Sequence, residues 1–128
     1  MNLPGFVSTA SDLEIAGLLW QPEIGDEVSN RSEPENISVL VNTGGLTPTQ
    51  LRQAYIWLPS VEQLVLQFEA RQAILFHAGL ELTKHNYCYK TVVQSPKGPI
   101  ECYAESLRGA LARALCDLLL RFKEGSLH

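Results

Sequence analysis

Apolar positions along the chain change their period, and the changes mark out the elements. The clearest stretch is C-terminal. Leu107, Ala110, Leu111, Ala114, Leu115, Leu118, Leu119 and Phe122 recur at i,i+3/i+4 spacing, behind Ser106 as a cap and ahead of Gly125 as a stop. This predicts one long amphipathic helix. Gly109 near its start suggests close approach to another backbone. Just upstream the period drops to two. Tyr87, Tyr89, Thr91 and Val93 would share one face of a strand, with Cys88, Lys90 and Val92 on the other. Pro96 to Pro99 reads as a turn, and Ile100 to Ala104 as the hairpin partner.

The first half is less regular. Residues 1–10 read as an N-terminal arm. Ser11 and Asp12 open a helical stretch that carries Leu13, Ile15, Ala16, Leu18, Leu19 and Trp20 and stops at Pro22. Residues 23–36 read as a polar loop, and Ile37 to Val41 as a short β-branched strand. Thr47, Pro48 and Gln50 form a helix start. Residues 53–58 fit either a continuation of that helix or a strand at Tyr55-Ile56-Trp57. Pro59 resets the chain, and Ser60 with Gln63 makes a second capping box. Val61, Leu64, Val65, Phe68 and Leu75 then predict a helix running to Ala78, with Gly79 as its left-handed stop.

These elements predict an α+β fold, a small antiparallel sheet with helices packed on it. The C-terminal amphipathic helix should lie across the sheet, because its stripe needs cover and a two-stranded hairpin is unstable alone. The 128 residues fit one domain, 1–128. A chain of that size buries roughly two-thirds of its unfolded surface, so it needs no metal, disulfide or cofactor to hold it.

Charge narrows the partners. A net charge of −4 with only 10 scattered Lys and Arg argues against nucleic acid. A charged fraction of 19% leaves room for an apolar patch, and so for a homo-oligomer or another protein partner. Cys88, Cys102 and Cys116 are an odd number without CxxC spacing, so reduced thiols in a cytoplasm are the simplest expectation. The first residues lack the pattern of a signal peptide, and no apolar run is long enough to span a membrane.

Two short strings carry a resemblance. Trp20, Pro22, Gly25 and Asp26 give W-x-P-x-x-G-D, and Trp57-Leu58-Pro59 with Gln63-Leu64 gives W-L-P-x-x-x-Q-L. With the Ala/Leu-rich closing helix they resemble a loose group of small bacterial and prophage-encoded proteins without an assigned activity. The resemblance covers about a third of the chain. It implies an accessory protein and carries over no catalytic residue. As structure, Trp20 and Trp57 read as core anchors beside their prolines.

Candidate chemistry is sparse. His77, His85 and Cys88 are the one group with metal-binding residue types, but a single HxxC pair falls short of a four-ligand zinc site, so no metal is expected. His77 lies in an apolar run, where a structural histidine is the commoner reading. The three thiols lack an adjacent base and read as small buried hydrophobes. Asn42 to Gly45 lacks phosphate-loop spacing, and Glu23, Asp26 and Glu27 read as a solvated acidic turn. The expectation is therefore a non-enzymatic interaction or assembly module that self-associates. The alternative is a small-ligand domain with an aromatic-lined pocket of Tyr55, Tyr87, Tyr89 and His85 between hairpin and helices.

Overall fold

The computed structural model describes residues 5–125. The chain divides into two compact units, Met1–Pro59 and Ser60–His128, each with its own helices and a three-stranded antiparallel sheet. The class is α+β, as the periodicities predict.

In the first unit, helix α1 spans Gly5–Ile15 and buries Val7, Ala10 and Leu13. The predicted arm over 1–10 is therefore helical from Gly5 onward, and residues 1–4 lie outside the described ones. The helix also stops well before Pro22, and Gly17 is the reason. With φ +111 it takes the left-handed position, the Leu18 N–H donates to the Leu13 carbonyl, and the Gly17 N–H donates to the Glu14 carbonyl, both at 3.0 Å. That pair of bonds closes a helix C-terminus around glycine. Leu18 to Trp20 then continue without regular secondary structure.

Strand β1, Glu27–Asn30, lies inside the stretch read as a polar loop, and it is the centre of the sheet β2-β1-β3. Polarity hides it. Of its four residues only Val28 is apolar, and Ser29 is buried only because its hydroxyl donates to the Pro34 carbonyl at 2.6 Å. Strand β2 is Ile37–Val39, and β3 is Tyr55–Trp57. Helix α2, Pro48–Ala54, starts with the predicted Thr47/Gln50 capping box. The chain turns extended at Tyr55, which settles residues 55–57 as strand. One face of β3 packs Ile56 and Leu58 with Val7 and Ala10 of α1. The other face sets Tyr55 and Trp57 against Trp20, Val28, Leu40 and Leu51.

In the second unit, helix α3 covers Val61–Ala70, with the predicted Ser60/Gln63 box at its start. It does not reach Ala78. Gln72 adopts φ +58 and Ile74–Leu82 is strand β4, so Gly79 lies within a strand and caps nothing. The helical spacing of Leu75 with α3 misled, and no Gly or Pro marks the break. Strand β5 is Tyr87–Ser95, β6 is Gly98–Ala104, and the order is β4-β5-β6. The register pairs Thr91 with Ala78 and Cys102, and Val93 with Leu75 and Ile100. Helix α4, Leu107–Gly125, lies on all three strands and on α3. Leu111, Leu115 and Leu118 are fully buried with Val93 and Ile100. The expected placement of the last helix across the sheet is what the fold contains. At Gly109 a Cβ would come within 2.9 Å of the Ser106 Oγ and 3.3 Å of the Ala104 Cβ, so its close neighbours are side chains and not the backbone expected.

Candidate functional site

A cavity of about 270 Å³ lies within the first unit. Its floor is apolar, from Leu18, Ile56 and the two tryptophans of the chain, Trp20 and Trp57. Tyr55, Ile56 and Trp57 all line it although they are consecutive in a strand. Successive side chains point to opposite faces, so the cavity runs along the strand's edge. Bonds from the Leu58 N–H to the Glu27 carbonyl and from the Arg31 N–H to the Ala54 carbonyl fix the phase of the β1–β3 ladder. In that phase Trp57 is a non-bonded partner of Val28, and its backbone N–H and C=O face the open edge. The Trp57 indole Nε1 is also buried, and no acceptor meets it among the described residues.

Two arginines and one carboxylate supply the polar rim. Arg31 follows β1. Its Nε donates to the Arg52 carbonyl at 2.9 Å, and its Nη2 forms an ion pair with Glu14 at the end of α1. Arg52, in the last turn of α2, donates from Nε to the Trp20 carbonyl at 2.6 Å. A guanidinium carries five N–H donors in a planar fork. Both arginines are thus oriented by backbone carbonyls and keep donors beyond those bonds. Arg52 has no carboxylate partner among the described residues.

Asp26 fastens the loop that carries Trp20. Its Oδ2 accepts from the Trp20 indole at 2.8 Å and from the Glu23 N–H at 3.0 Å, and the residue is 5% exposed. The acidic turn is therefore not solvated at Asp26, and W-x-P-x-x-G-D is a self-closing structural motif. Trp20 is buried, while Trp57 is half-buried at the cavity wall.

The residues expected to form an aromatic pocket fall in different places. Tyr55 lines the cavity of the first unit. Tyr87 and Tyr89 sit on β5, opposite Leu82 and Leu80, and His85 is exposed in the β4–β5 turn. Arg31 and Arg52 escaped sequence reasoning, because their role depends on pairing between distant segments. His77 is exposed on β4 rather than buried in a core. The three cysteines are half-buried, and burial pushes the Cys102 thiol up from its ordinary pKa.

A second surface lies on the other unit. Strand β4 is an edge strand, and Ile74, Phe76, Leu80 and Leu82 are 58%, 67%, 50% and 79% exposed. Its register with β5 shifts between Leu75 and His77, a bulge at Phe76. The face of the sheet away from α4 carries an ionic cluster. Lys90 bonds Glu101 at 3.1 Å and Glu81 at 3.4 Å, and Tyr103 donates its hydroxyl to Glu101. The bond from Tyr103, with that from Lys90, lowers the Glu101 pKa, and the Glu101 contact raises that of Lys90.

Among the described residues no helix is long and apolar enough to cross a membrane. No family model matches the chain, and neither a curated protein nor a solved structure matches it.

Proposed function

We propose that the chain is a non-enzymatic assembly module that pairs with a second copy of itself along the open edge of β4. The observation that carries this reading is that edge: nine residues, no proline, no lysine, and four large apolar side chains at least half exposed. Edge strands that stay monomeric commonly carry such blocking residues. A two-fold interface must be self-complementary. Antiparallel pairing centred on Gly79 sets Ala78 opposite Leu80 of the second copy and His77 opposite its Glu81, so apolar meets apolar and a carboxylate meets an imidazole. The regular run from His77 to Glu81 lies beyond the bulge at Phe76.

Covering the exposed half of each such side chain contributes roughly 1 kcal/mol. Summed over two copies and set against the cost of association, that supports micromolar rather than nanomolar pairing. Three cysteines, an odd number with no disulfide among the described residues, fit a reducing, cytoplasmic setting, and the tryptophan–proline strings fit an accessory protein of bacterial or prophage type.

Size-exclusion chromatography with light scattering tests the reading. The expected mass doubles between low and high micromolar concentration, and Leu82→Lys, on an exposed side chain, stays monomeric throughout. A wild-type chain that remains monomeric at high micromolar concentration overturns the proposal.

A further inference from the structure

We infer that the cavity of the first unit binds a small organic anion with a flat apolar body, of the arylcarboxylate class. Four observations converge on it, none of which involves the β4 edge. The cavity's volume of about 270 Å³ lies near the lower end of small-molecule sites, which suits a single ring system bearing one short acidic group. Its walls supply aromatic and aliphatic surface from Trp20, Trp57, Leu18 and Ile56. Its rim carries two guanidinium groups against one carboxylate, and Glu14 is already paired with Arg31. The remaining cation, Arg52, is held by the Trp20 carbonyl through Nε alone, which leaves both Nη groups for the bidentate fork that a carboxylate fits.

The fourth observation concerns donors without acceptors. The Trp57 indole N–H is buried with no acceptor among the described residues, and the Trp57 backbone N–H faces the open edge of β3. Buried N–H groups are nearly always satisfied, and an orphan on the wall of a cavity marks where an acceptor belongs. A neutral apolar ligand would leave Arg52 and these donors unanswered. A cation would meet two arginines. An anion with acceptor oxygens answers both. Three strand residues are too few for an extended peptide to pair along β3, so a small molecule fits better than strand addition.

The two tryptophans of the chain both line the cavity, so the intact protein reports on its own occupancy. Indole-3-acetate and benzoate are titrated against full-length protein, with indole-3-acetamide and benzamide as neutral controls. Benzoate and benzamide are read by tryptophan emission. The indole pair, which itself fluoresces, is read by the two indole N–H cross-peaks in a ¹H–¹⁵N spectrum. The expected result is a saturable change with the acids, about tenfold weaker with the amides, and a shift of the Trp57 Nε1 cross-peak. Arg52→Met is expected to weaken acid binding about tenfold and leave amide binding unchanged. Its folding is checked by a cooperative melt. Should that variant not fold, the acid–amide comparison on the wild-type chain decides alone. Equal binding of acid and amide overturns the inference, as does the absence of saturation with either acid up to about 10 mM. The oligomeric state is measured in the same samples, so loss of binding and loss of self-association are read separately.

Discussion

Asp26 is tied into the fold at two points. Its carboxylate holds the Trp20 indole and the Glu23 N–H from within the fold. Removing it leaves two donors without an acceptor, at a cost of about 1–3 kcal/mol. Asp26→Ala is therefore expected to lower the melting temperature by several degrees, and Asp26→Asn, which keeps one acceptor oxygen, by less. Thermal denaturation followed by circular dichroism checks both. An unchanged melting temperature for the alanine variant removes the structural account of W-x-P-x-x-G-D. At this scale the sequence was half legible. Trp20 reads as an anchor from its size and its proline, but its partner sits in what looks like a solvated acidic turn. The distinction depends on the Gly25 turn, where the Gly25 N–H bonds the Leu40 carbonyl and so carries Asp26 inward.

Elements were legible where one periodicity dominated. Helix α4 carries its stripe through five turns, and β5 alternates in burial from Lys90 to Ser95, so both are plain in the sequence. Strands β1 and β4 are not, for opposite reasons. β1 is too polar, and its pairing is fixed by neighbours on both sides rather than by its own side chains. β4 carries apolar residues at spacings that suit either a strand or an extension of α3, and the long-range register with β5 decides. The cavity was legible only through Tyr55, since Arg31 and Arg52 meet it through backbone carbonyls on other segments. At this scale the outer face of the second sheet makes a pH prediction. Glu101 has its folded pKa lowered, by Tyr103 first and then Lys90. Its contribution is therefore present above the ordinary carboxylate pKa and lost as pH falls through the folded value. Glu101→Gln is expected to melt below wild type near pH 7 and to converge with it in acid. Parallel melting curves across that range would show that the cluster adds nothing to stability. Because these groups are exposed, added salt is expected to narrow the gap.

At the scale of the whole molecule, the chain forms two compact units, each built on its own three-stranded sheet. The self-pairing proposed for the exposed margin of β4 carries a thermodynamic consequence. A folded chain that is consumed by pairing is drawn away from its unfolded state by mass action, so resistance to heat becomes a property of abundance as well as of sequence. The melting midpoint is expected to climb as protein is concentrated, and to hold steady for Leu82→Lys. Differential scanning calorimetry over a hundredfold dilution series reads this directly, and a midpoint indifferent to dilution would mean that the margin is merely tolerated.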